Sequence, residues 1–214
     1  MKGVIFGNYH SYNDFGLILS KKEIGSPNPK VVTIDVEGSD GVLDLTEAFG
    51  DVKFRNRSLS FQFAKASIDP HSFLELYSTV HNAIHGKKMH IILDDDMEFY
   101  YVGRITVNEW TSDKNIGKIV IDVDAEPWKY KLNETVVAKT ISGSGTVNLL
   151  NQRKPVVPSV RATASMTFSF DGNSYAIGAN TTTIFPSFEL KAGNNSVSVT
   201  GTGTITFTYQ EGGL

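Results

Sequence analysis

The sequence predicts a mainly β chain in two parts, with one helix in the first. Three observations predict this. Residues 58–63 alternate strictly, with Leu59, Phe61 and Phe63 on one side and Ser58, Ser60 and Gln62 on the other. That period of two belongs to a half-buried antiparallel strand. One stretch, 69–86, carries apolar residues at helical spacing instead. Charged residues are frequent up to about Lys131 and sparse afterwards, where Gly, Ser, Thr and Asn take over. The shift near Asn133 sets the expected boundary, giving domains at 1–132 and 133–214.

In chain order, residues 8–14 read as a polar turn before the apolar run 15–19. Ser26-Pro27-Asn28-Pro29 reads as a turn or exposed arm, because prolines disfavour regular structure around them. The β-branched run 31–36 is a strand. A glycine-rich turn at 37–41 and a short irregular crossing lead to the alternating strand ending at Phe63. Asp69 suits a helix N-cap and Pro70 the first helical position, where its missing N–H costs nothing. Phe73, Leu76, Tyr77, Val80 and Ile84 make one apolar stripe, which must lie on a sheet. Gly86 ends the helix, with Lys87 and Lys88 beside its negative end. Strands at 89–93 and 99–107 flank Asp94-Asp95-Asp96-Met97, a hairpin turn. Trp110 closes the second of them. Ile116-Gly117 reads as a turn into the alternating strand 118–124. Pro127 interrupts the ladder and ends the first domain.

From Thr135 onward every signal is β. Turns are expected at 142–145, 171–173, 178–180, 193–195 and 201–203. Short strands between such turns point to a β-sandwich. Asp171-Gly172 suits a type I′ hairpin, which needs positive φ at both central residues. The tail 211–214 reads as frayed.

The chain has 214 residues, no cysteine and a formal charge of −3. Disulfides, thiolate chemistry and cysteine zinc sites are excluded. The absence of a basic excess argues against tight nucleic-acid binding. No stretch approaches the roughly 20 apolar residues of a membrane span. The N-terminus shows no apolar run long enough for a signal peptide, so the chain is expected to be made and kept in a cytosol unless carried out.

Candidate chemistry is sparse. His81 and His85 have the i, i+4 spacing of a zincin helix, but Asn82 stands where the general-base glutamate belongs, and no third ligand is placed. Asp94, Asp95 and Asp96 lack the alternating ligands and central glycine of an EF-hand, and read as a solvated tip. Arg55 and Arg57 flank a strand start, either clamping acidic groups of a neighbour or solvated. Trp110, Trp128 and Tyr130 suit either a sugar-stacking platform or internal packing. No nucleophile–base pair, phosphate loop or carboxylate dyad appears, so no enzyme and no cofactor is expected.

The run Gly38-x-Asp40-Gly41-x-Leu43-Asp44-Leu45-Thr46, followed by Arg55-Asn56-Arg57-x-Leu59-x-Phe61-x-Phe63, resembles the siphophage distal tail (Dit) proteins. Asp94 to Tyr101 with Val102-Gly103-Arg104-Ile105 is similar to that family's acidic hairpin and following strand. Glu126-Pro127-Trp128-Lys129-Tyr130 is similar to the motif ending its first domain. Pro186-x-Phe188-x-Leu190, Gly193-Asn194-Asn195-Ser196-Val197 and Gly201-x-Gly203-Thr204-Ile205-Thr206 look like the close of its second. The resemblance covers nearly the whole chain.

It implies an N-terminal β-sandwich with one helix and a hairpin extension, then a C-terminal galectin-like β-sandwich. It also implies a homohexameric, non-catalytic hub ring at the tail tip of a virion. Such a ring joins the tail tube protein to tail-tip proteins, with receptor-binding and tape measure proteins as further partners. DNA only passes through the lumen, and no membrane is entered. Asp40, Asp44, Arg55, Arg57, Asp94, Asp95, Asp96, Tyr100 and Arg104 are the expected interface residues. The chain shows no large insertion that would be a carbohydrate-binding module, which favours an adaptor over the alternative, a lectin-like module for host cell-wall adhesion.

Overall fold

The computed structural model describes residues 2–48, 50–66, 69–113 and 116–214. Phe49, in the crossing expected between two strands, lies outside them. The fold is mainly β with curled sheets and one helix. Its chain divides into two compact units, Met1–Pro127 and Trp128–Leu214.

The first unit holds β1 (Val4–Phe6), β2 (Tyr9–His10), β3 (Ile18–Ile24), β4 (Thr33–Asp35), β5 (Val42–Asp44) and β6 (Arg57–Ala66). Then follow α1 (Pro70–Ile84), β7 (Lys88–Leu93), β8 (Phe99–Asp113) and β9 (Ile116–Lys131). The main sheet has the order β2-β1-β7-β8-β9-β6-β3. Next to the edge strand β3, β6 lies antiparallel to β9, with Leu59 opposite Val123, Phe61 opposite Ile121 and Phe63 opposite Ile119. All six are buried, as the alternation predicts.

The helix is capped as expected. The Asp69 carboxylate accepts from the His71 and Ser72 amides at 3.0 and 3.1 Å and from the Ser72 hydroxyl at 2.6 Å. These bonds, the hydroxyl first, hold it below the usual carboxylate range. Gly86 takes φ +74°, the left-handed value a residue just past a helix end requires. Phe73, Val80 and Ile84 are fully buried against the sheet.

Gly117 is not a turn residue but the second residue of β9. A Cβ there would overlap the Phe73 ring, so the glycine lets the helix seat closely. Pro127 does not end a strand either, since β9 runs on to Lys131. The ladder with β6 stops at Ala125, so the missing proline N–H falls beyond it.

The second unit holds the end of β9 and β10 (Thr135–Asn151), β11 (Ser159–Ala162), β12 (Met166–Phe170), β13 (Asn173–Ile177), β14 (Thr182–Ile184), β15 (Gly193–Tyr209) and β16 (Gly212–Gly213). Its sheet runs β13-β12-β15-β11-β14, with β10 on β15. The β12–β13 turn at Asp171 and Gly172 has φ +49° and +79°, the type I′ signature.

Three expected turns are not turns. Residues 193–195 start β15, with Asn195 buried and its amide bonding the Lys191 backbone. Residues 142–145 and 201–203 lie inside two 17-residue strands paired along their whole length, with Gly143 opposite Gly201. The glycines mark a shared corner. On one side of it β15 pairs with β12 through residues 198–200; on the other it pairs with β11 through 205–208. Gly143, Gly201 and Gly203 all have positive φ. Lys139 Nζ donates to the Thr146 carbonyl at 2.6 Å, so one strand doubles back sharply within seven residues. One bent ribbon thereby serves both layers of the sandwich. Phe168, Phe188 and Phe207 pack between them.

The tail is not frayed. Gly212 and Gly213 form β16 against Tyr130 and Lys129. Glu211 is buried and takes Lys131 Nζ at 3.2 Å and the Thr135 hydroxyl.

Candidate assembly surface

Between β3 and β6 the first unit leaves its sheet. Residues 28–44 are all exposed. Within this excursion β4 pairs with β5 as a separate two-stranded sheet. Gly38 and Gly41 close the connection with φ +83° and +76°. The base is tied by backbone bonds, Lys30 to Lys53 at 2.7 Å and Arg55 to Asn28 at 2.8 Å. Asp44 accepts from the Thr46 amide, and the Thr46 hydroxyl accepts from the Val32 amide. The Thr46 contacts hold the Asp44 carboxyl below its usual range.

Among the described residues this arm has hydrogen bonds but no buried apolar side chain. Val31, Val32, Ile34, Val36, Val42 and Leu43 are between 43% and 62% exposed. An isolated hairpin is marginal in water, and clustered exposed apolar residues mark a contact surface. Periodicity could not reveal this, because a β-branched run looks the same whether covered or not.

The expected interface residues divide. Asp40, at the arm's turn, and Arg55, at its base, are exposed. Asp44 is exposed and caps its own turn. Arg57 is buried, donating to Gly25 O at 2.7 Å and Pro127 O at 3.3 Å and lying 5.4 Å from the Tyr101 ring centre. Asp94 accepts from the Gly3 amide at 2.6 Å and bonds His10 Nε2 at 3.1 Å. Asp95 pairs with Lys22, whose hydrogen bond holds its pKa down. Asp96 shapes the hairpin turn through its backbone. Tyr100 packs on His90 at 4.5 Å, and Arg104 caps the helix end by donating to Gly86 O at 2.6 Å. Asp94, Asp95, Arg57 and Arg104 thus have partners inside their own unit. At the hairpin tip Asp95, Met97 and Glu98 are exposed.

His81 and His85 stack at 3.9 Å, and His85 Nδ1 accepts from the Val107 amide. Among the described residues no group of three metal-ligating side chains forms. Trp110 packs on Phe73 in the first unit, and Tyr130 lies under Lys154 in the second.

No protein-family model and no curated protein matches the sequence. A solved structure does match. It is the Dit protein (gp 19.1) of SPP1, a paradigm of the hub adsorption apparatus in phages that infect Gram-positive hosts. The two agree with a TM-score of 0.72 and 15% identity, over 100% of each chain. The chain has a Dit-like fold. At that identity the likeness fixes the Dit-like architecture, mainly β with curled sheets.

Proposed function

We propose that this chain is a structural phage tail protein of the distal tail type. Six copies form a hub ring that joins the tail tube to tail-tip and receptor-binding proteins. The observation that carries this is the arm, a self-bonded hairpin presenting exposed valine, isoleucine and leucine. A ring of identical chains needs head-to-tail contacts that close, and such an arm suits a neighbour's surface. The Dit-like fold supports the same reading.

In this proposal residues 1–132 form the ring and 133–214 a galectin-like outer domain. Asp40, Asp44 and Arg55 take part in the arm contact, while Arg57 and Arg104 hold the unit's own structure. The net charge of −3 suits a lumen that DNA crosses without sticking.

The test replaces Ile34 and Val42 together with serine. The hexamer measured by native mass spectrometry should be lost while the thermal transition of the monomer stays in place. An unchanged assembly would show that the arm is not the contact.

A further inference from the structure

The second unit carries an open edge. β10 is 17 residues long and pairs only with β15 among the described strands. In an antiparallel ladder alternate residues turn both backbone groups to the same side, so about half of those in β10 face away from β15. A long edge of this kind is a template for another strand unless it is blunted. The edge strand β3 is blunted, with a bulge between Leu19 and Lys21 and three charges, Lys21, Lys22 and Glu23. β10 has no proline and one charge, Lys139. Val136 and Leu150 on its solvent face are 61% and 65% exposed.

The edge is its own complement. Laid antiparallel on a second copy about Gly143, Val136 faces the partner's Leu150 and Thr140 faces the partner's Thr146. Lys139 faces the partner's Val147, so no like charges meet. The bend at Gly143 falls on the same bend in the copy, and each sandwich layer continues into the other chain. We propose that the outer edge of β10 is a two-fold docking surface for a second copy of this chain, centred on Gly143. Lys139 guards it. Its ammonium occupies the Thr146 carbonyl, which must be released before that carbonyl can take a partner's N–H.

This contact lies in the second unit and is isologous, so it stands or falls apart from a ring built through the arm. The test uses full-length chain carrying the Ile34→Ser and Val42→Ser substitutions, so that ring formation does not contribute. The protein has no cysteine. Val136→Cys and Leu150→Cys chains are oxidised separately and as a mixture. Opposed residues in an antiparallel pair have Cα atoms about 4.5–5.5 Å apart, within disulfide reach. The mixture should cross-link and neither single variant should. In sedimentation, Val136→Lys with Leu150→Lys should weaken dimerisation at least about tenfold, and Lys139→Thr should strengthen it. A mixture that cross-links no more than the single variants, or self-association indifferent to the paired lysines, overturns the proposal.

Discussion

At residue scale, single side chains explain features that look anomalous in the sequence. Gly117 sits in a strand because Phe73 occupies the space above it. Gly117→Ala should cost about 1–3 kcal/mol by overpacking, read as a lower midpoint in denaturant at unchanged slope. Tyr209 is buried, donates to Leu150 O at 2.6 Å and lies near Glu211. Burial first, and then the Glu211 charge, push its pKa from 10.0 to about 12. The folded state therefore holds this proton more tightly than the unfolded chain. The stabilisation is complete below about pH 10 and is lost as pH rises towards 12. Alkaline melts should show that loss in the parent and a smaller one in Tyr209→Phe; identical profiles would remove Tyr209 as the cause.

At element scale, what was legible in the sequence was local. The helix was readable because Asp69, Pro70, the apolar stripe and Gly86 each act within a few residues of one another. Strand β6 was readable because its two faces differ at every step. The corner in β10 and β15 was not. Glycines at 143, 201 and 203 look like turn residues, and only pairing between segments nearly 60 residues apart makes them a bend. The tail was misread for the same reason. Glu211 looks like a frayed terminus until Lys131 and Thr135, far back in the chain, take its carboxylate. Glu211→Gln should therefore destabilise the protein by about 1–3 kcal/mol, since it weakens a buried charged contact. A frayed tail would give no change in thermal midpoint.

At the scale of the whole molecule, two surfaces among the described residues stand out as uncovered by the chain's own fold. One is the arm, where exposed apolar side chains stand on a separate two-stranded sheet. The other is the outer edge of β10. The candidate site was legible in part. The sequence placed the arm's strand, its glycine turn and the charged residues around it. It could not separate charges with internal partners, such as Arg57 and Asp94, from those left outward, such as Asp40 and Arg55, because the partners come from distant elements.

In the proposed assembly, sister copies of the chain complete the exposed arm. Native mass spectrometry of the full chain across a concentration series, beside the Ile34→Ser/Val42→Ser variant, tests it most directly. The arm contact gives a species near six times the 23.5 kDa monomer for the parent and no such species for the variant. Parent chain that stays monomeric at every concentration, or a hexamer that persists undiminished in the variant, would contradict it.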